Sequence, residues 1–157
     1  MTSPRFALIG AGWVARAVWA PLLLECGASI HAVVDPCPAA REAARVLLPR
    51  ARLLDGLDER IRADCDIAWI CSPNALHTHQ ATTALRMGMD VVVEKPVGDD
   101  EVSSLALQHR LRRLLGEDRV VFNDHYLAKQ SLWSLARGEH PTPPSSALWN
   151  RLSVRGV

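Results

Sequence analysis

The sequence predicts a doubly wound α/β fold, a parallel sheet with helices packed on both faces. Two observations lead there. Short, almost unbroken apolar runs alternate along the chain with segments of helical period. The runs are apolar at successive positions, as "DVVV" and "IAWI" show, which suits strands buried on both faces better than strands with one wet face.

Each element follows from its residues. "RFALIG" (5–10) reads as the first strand, and "WVARAVWAPLLLECG" (13–27) as a helix closed by Gly27, with Pro21 placed to kink it. "SIHAVVD" (29–35) is the second strand. "CPAAREAARVLL" (37–48) is a helix with Pro38 in its first turn and Pro49 beyond its end. Residues 51–63 hold a short edge strand and a helical turn, and "CDIAWIC" (65–71) is a buried strand. Helices follow over 74–88 and 99–116, separated by the strand 90–94, and a further strand covers 119–124. Residues 1–124 therefore make one domain, and 125–157 read as a helix, a proline-rich loop and one strand.

Composition narrows the function. With 157 residues, 48% of them apolar, and a net charge of +1, the chain can bury a domain-sized core without the basic bias of a nucleic-acid or membrane-surface protein. No run approaches the length of a bilayer span, so the chain reads as cytoplasmic. Cys26, Cys37, Cys65 and Cys71 show no C-x-x-C pair and no zinc spacing, and are expected as reduced thiols filling core space; no metal site is expected.

Ligands of doubly wound sheets sit at the carboxyl ends of the strands, and four such places carry distinctive residues. "GAGWVA" holds Gly10 for a tight turn, Gly12 for close approach of backbone to a pyrophosphate, Trp13 and Val14 opening the helix, and Ala15 where helix and strand pack. Such a turn also occurs where nothing binds. Asp35, ending the second strand, adds a carboxylate that can take both adenosine ribose hydroxyls and repel a 2′-phosphate, favouring NAD; Arg41 and Arg45 nearby leave NADP open. A cap on the next helix or a solvated strand end is the alternative, and the glycine turn together with the acidic strand end favours dinucleotide binding.

"CSPNALHTHQ" supplies the third place. Ser72-Pro73-Asn74 forms a sharp exit from the strand with Asn74 as N-cap, and His77 faces either the nicotinamide pocket or, like His79, the solvent. The fourth is Glu94-Lys95-Pro96. A lysine held by a following proline at a strand mouth is a cation aimed at the cleft where nicotinamide and substrate meet, with Glu94 fixing it. An ordinary exposed lysine is the alternative.

Taken in order, "ALIGAGWVA", "VVDP", "ICSPNALHTHQA" and "VVVEKPVG" resemble the glucose-fructose oxidoreductase and inositol dehydrogenase family, Gfo/Idh/MocA, over residues 5 to about 100. From "EKPVGDD" through "NDHYLAK", and again at "LWNRLSVRGV", the chain is also similar to glucose-6-phosphate dehydrogenases. The resemblance implies a Rossmann dinucleotide-binding domain and a dehydrogenase that moves a hydride between NAD, or NADP, and a hydroxyl of a sugar, sugar phosphate or cyclitol. It implies that Lys95 touches substrate and nicotinamide, that His125, Tyr126 and Lys129 grip a sugar phosphate, and that Asp124 orients the catalytic base. Asn123 and Ala128 depart from the pattern, which weakens the case for a phosphate.

Relatives of this kind continue into an α+β domain that carries the general-base histidine. Here the expectation is that this second domain is largely absent, with "ALWNRLSV" (147–154) as its first strand, and His125 is the remaining candidate base. Leu148, Trp149 and Leu152 would then leave an apolar edge and favour self-association into a homo-oligomer. Two readings stay open: a nicotinamide-dependent oxidoreductase or its N-terminal portion, or a catalytically silent dinucleotide-binding module completed by another chain.

Overall fold

The computed structural model describes residues 4–94 and the strand 120–123. Six parallel strands form one sheet: β1 (Arg5–Ile9), β2 (Ser29–Val34), β3 (Arg52–Leu54), β4 (Ile67–Ile70), β5 (Asp90–Glu94) and β6 (Val120–Asn123), in the order β3-β2-β1-β4-β5-β6. The expected elements are present, with strand ends drawn in by a residue or two; the expected helix 99–116 and the segment 125–157 lie outside the described residues.

Alternate residues of each strand feed two cores. Phe6, Leu8, Val33, Ile67, Trp69 and Val92 pack on one face with Ala15, Ala20 and Leu23 of helix α1 (π-helical Ala15–Trp19 running on as α-helical Ala20–Glu25) and Ala44 of α2 (Pro38–Leu47). Ala7, Ile9, Val34, Ala68, Ile70, Val91 and Val93 pack on the other with Ala81, Ala84 and Leu85 of α3 (Asn74–Arg86). The sheet grows from β1 toward β3 and then restarts from β1 toward β6. Right-handed crossovers therefore send α1 and α2 to one face and α3 to the other. On the first face Trp69 lies between Phe6 and Trp19, at centroid distances of 6.2 and 4.8 Å, both tilted.

Helix α1 is not simply kinked at Pro21. A π-helical stretch, Ala15–Trp19, runs on into the α-helix Ala20–Glu25, and Ala20 N–H donates to Ala15 O five residues back. Pro21 lacks an N–H and its ring crowds the carbonyl four residues earlier; a widened turn in front of it removes that clash, and Pro21 falls in the first turn of the α-helical part. Gly27, at φ +73, closes the helix as expected, with Ala28 N–H on Leu23 O (2.8 Å) and Gly27 N–H on Leu24 O (3.0 Å).

The cysteines divide. Cys65 is buried, as expected, and burial pushes its thiol up to about 11, but Cys26 and Cys37 are exposed, because they occupy the C-cap of α1 and the N-cap of α2. All four are free thiols. Among the described residues no cluster of His, Cys, Asp or Glu could hold a metal ion, and no helix is long and apolar enough to cross a membrane.

The amino end of the sheet is tied by one bidentate pair. Arg5 Nε and Nη2 meet Asp66 Oδ2 and Oδ1 at 3.0 and 2.8 Å, and Arg5 N–H donates to Asp66 Oδ2 at 3.1 Å, joining the starts of β1 and β4. These bonds to Arg5 hold the Asp66 carboxyl below its usual value. A carboxyl lowered in the fold adds stability above its unfolded pKa and loses it as the pH falls through the folded value. Asp66→Asn should therefore cost about 1 kcal/mol or less near neutrality, since the pair is part exposed. In thermal unfolding the gap between variant and wild type should close as the pH falls through and below the ordinary carboxylate range; a gap unchanged by acid would remove the pair from the account.

Candidate functional site

The carboxyl ends of β1 and β4 lie side by side, where the sheet changes direction. Gly10 N–H donates to Val34 O (2.7 Å) and Cys71 N–H to Ile9 O (2.7 Å), so the ladder carries both chains past the last strand residue before they part. Gly10 sits at φ +91, and a Cβ there would stand 2.8 Å from Ser72 N and 2.9 Å from Cys71 C and Ser72 Cα. Backbone is on backbone at this point, and no side chain can be inserted. Gly12 is different: it has no positive φ, and a Cβ there would meet nothing within 4 Å. The fold needs glycine at position 10, while the open space in front of Gly12 leaves its backbone approachable. Ala15 is fully buried against the sheet, as expected of the third fingerprint position; Trp13 and Val14 are exposed, Trp13 to 70%.

Asp35 binds this turn to the next. Its Oδ2 accepts from Ala11 N–H and its Oδ1 from Cys37 N–H, both at 2.8 Å. One carboxylate thus bridges the loops after β1 and β2; it does not cap α2, whose N-cap is Cys37 with no side-chain cap. The carbonyl of Ala11 is held in turn by Arg16 Nε at 2.9 Å, so both ends of the residue between the two glycines are fixed. Sequence reasoning passed over Arg16, whose only signal is its place five residues after Ala11.

At the exit of β4 the N-cap is Pro73, at φ −59 and ψ 144, and Asn74 is the first residue of α3 with no side-chain cap. This corrects the expected Asn74 cap: Pro73 already has the extended backbone that a cap requires, so Asn74 falls inside the helix. Ser72 is held from within, its hydroxyl bonded to Gln80 Oε1 and its carbonyl accepting from His77 Nε2 at 2.7 Å. His77 is 1% exposed, while His79 is exposed. His77 therefore reaches the site through the Ser72 carbonyl.

Glu94 ends β5 at 6% exposure, opposite Asn123 of β6. Burial, and then the charge of Glu94, raise the Cys71 thiol far above its ordinary value, which keeps it protonated. Lys95, Asp124, His125, Tyr126 and Lys129 lie outside the described residues.

A parallel sheet with this strand order, a Gly-x-Gly turn at its switch point and an acidic residue beyond the second strand define a dinucleotide-binding Rossmann domain. Residues 4–119 match the oxidoreductase family with the NAD-binding Rossmann fold, and the chain belongs to that family, Gfo/Idh/MocA. It is 36% identical over 113 residues to a protein of Amycolatopsis mediterranei assigned as a UDP-kanosamine synthase oxidoreductase subunit, covering 69% of this chain and 31% of that one. It is 35% identical over 112 residues to glucose-6-phosphate 1-dehydrogenase 1 of Mycobacterium tuberculosis, covering 68% and 24%. The WlbA dehydrogenase of Thermus thermophilus, crystallised with NAD and UDP-GlcNAcA, superposes with a TM-score of 0.65 at 28% identity, covering 86% of this chain and 46% of that one. The chain spans a quarter to a third of the length of these two curated relatives.

The two glycines should separate in experiment. Gly10→Ala forces a left-handed alanine, costing about 1–2 kcal/mol before the backbone clash is added, and should lower the unfolding temperature by roughly 5 °C or more. Gly12→Ala should unfold within about 2 °C of wild type and yet bind NADH about tenfold or more weakly in calorimetric titration. If Gly12→Ala binds as wild type does, the turn is not where the pyrophosphate lies.

Proposed function

We propose that this chain is the cofactor-binding part of a nicotinamide-dependent dehydrogenase acting on a hydroxyl of a sugar, sugar nucleotide or cyclitol, working in the cytoplasm. One observation carries it: the Asp35 carboxylate lies 2.8 Å from the amide between Gly10 and Gly12, so the phosphate turn and the ribose carboxylate form one preassembled unit. Backbone amides at Gly12 and at the start of α1 suit a pyrophosphate, and Asp35, with a further lone pair on each oxygen, suits the ribose hydroxyls. Trp13 and Val14 offer exposed apolar surface beside the turn.

NAD, when bound, supplies the acceptor for a hydride; the protein supplies position and proton handling. In the proposed reaction the substrate carbon gives up its hydrogen with the bonding pair, the hydroxyl proton passes to a base, and a carbonyl remains. Ser72 to Asn74 would flank the nicotinamide, with His77 and Gln80 fixing Ser72 from behind. Lys95 would hold the reacting hydroxyl and stabilise negative charge on its oxygen, with Glu94 beside it in sequence. His125 would take the proton, Asp124 would orient it, and Tyr126 and Lys129 would bind the substrate's polar groups.

In a second reading this stretch binds the cofactor and another polypeptide completes the substrate site. Turnover separates the two. On the first reading, NADH production from a panel of polyols, sugar phosphates and sugar nucleotides is measurable and Lys95→Ala abolishes it, while NADH affinity falls by less than about threefold. On the second, NADH binds and no substrate turns over. NADPH binding equal to or tighter than NADH would overturn the assignment of Asp35 to the ribose, and Asp35→Ser should narrow the preference for NADH.

A further inference from the structure

Successive peptides lead from β1 into α1, and each is held by a different group. The peptide joining Ile9 to Gly10 is held by Gly10 N–H on Val34 O at 2.7 Å, and the next by Ala11 N–H on Asp35 Oδ2 at 2.8 Å. The peptide joining Ala11 to Gly12 is held through its carbonyl instead, by Arg16 Nε at 2.9 Å. Its N–H, that of Gly12, donates to nothing among the described residues, and Gly12 is exposed. A trans peptide points its C=O and its N–H in opposite directions. With the Ala11 oxygen drawn onto Arg16, the Gly12 N–H is therefore turned away from the guanidinium. The space about Gly12 is open, since a Cβ there would meet nothing within 4 Å.

The same glycine leaves that orientation weakly defended. A peptide rotates as a unit when ψ of one residue and φ of the next change together, and a glycine in second place removes most of the steric resistance. Rotated by half a turn, this peptide would withdraw its N–H and present carbonyl lone pairs to an anion. Asp35 and Val34 do not oppose the rotation, because each holds an earlier peptide, whereas the bond to Arg16 does. Side chains on a helix lean toward its amino end, and Arg16, in the stretch Ala15–Trp19, reaches back half-buried to the turn. Its main chain serves the same turn, with Arg16 N–H on Gly12 O at 3.2 Å, so one residue grips the peptides on both sides of Gly12.

We propose that Arg16 is the positioning residue of the phosphate turn: it fixes the peptide between Ala11 and Gly12 with its N–H outward, so that the turn is a donor before any ligand arrives. This rests on the cofactor reading above and assigns the side chain that sets the polarity of its central amide. Arg16 acts through the carbonyl it holds. Without that bond the outward and inward orientations share the population, and affinity for a pyrophosphate falls in proportion to the fraction left outward.

Nuclear magnetic resonance and calorimetry on the full chain test this without any turnover. In the ligand-free wild type the isotope-labelled Gly12 amide should give one sharp signal. Arg16→Met, which keeps an apolar stem and loses the donor, should broaden or split that signal and weaken NADH and ADP-ribose alike by about tenfold. Arg16→Lys, which keeps a donor, should fall between the two in both measurements, and it carries the test if the methionine variant fails to fold. Unchanged affinity for NADH would overturn the proposal. So would lost affinity with a Gly12 signal that stays single and sharp, which would make Arg16 a direct partner of the phosphates. Both of these outcomes leave the cofactor reading intact. Wild-type protein that binds neither NADH nor ADP-ribose would overturn that reading and this proposal with it.

Discussion

The contact between Gly10 and the Cys71–Ser72 peptide is the constraint on which the rest of the site depends. It occurs where neighbouring strands of the sheet are not neighbours in sequence, so the chains leaving β1 and β4 turn to opposite faces and open a crevice between them. Elsewhere side chains set the distance between chain segments. Here two backbones touch, and the separation of the phosphate turn from the β4 exit is fixed by covalent geometry and hydrogen bonds. A ligand entering the crevice meets walls that need little rearrangement, which lowers the entropic cost of binding.

The polar groups around that contact form a second layer. Asp35 spans the loops after β1 and β2, Arg16 fixes the Ala11 carbonyl, and His77 and Gln80 fix Ser72. Most of these bonds run from a side chain to the main chain. The side chains in question hold the turns in place, and main-chain atoms are what they leave facing the crevice. The two buried clusters beneath, one on each face of the sheet, hold these turns above a rigid floor.

The strands were legible in the sequence because a parallel sheet covered on both faces must be apolar at successive positions, and "FALI", "AVV", "IAWI" and "VVV" are. The glycine turn and Asp35 were legible because their chemistry has a fixed spacing. His77 was ambiguous for a physical reason. The buried stripe of α3 is His77, Ala81, Ala84 and Leu85, so a polar residue opens it and three of its members are too small or too polar to mark a core face strongly. The Asn74 cap was misplaced because a good capping residue was preceded by a proline whose backbone already met the requirement. Arg16 left no pattern, and Arg41 and Arg45, both noticed beside Asp35, were indistinguishable in sequence: Arg16 and Arg41 each reach a carbonyl five or six residues away through a flexible stem, and only three-dimensional placement sets them apart from Arg45 on its helical ion pair.

The contacts that shape the exits of β1 and β2 lie between Ile9 and Arg41, and those that shape the β4 exit between Cys71 and Gln80. Every one of them is local to the sheet that carries it. On the proposed reading these turns carry the binding of the dinucleotide, whereas acceleration of a reaction requires groups that stabilise the transition state more than the ground state. A domain built in this way can retain cofactor affinity while the substrate side is varied or supplied from elsewhere. The same separation explains how one set of strand-end turns can be shared with relatives whose names place them on glucose 6-phosphate and on sugar nucleotides.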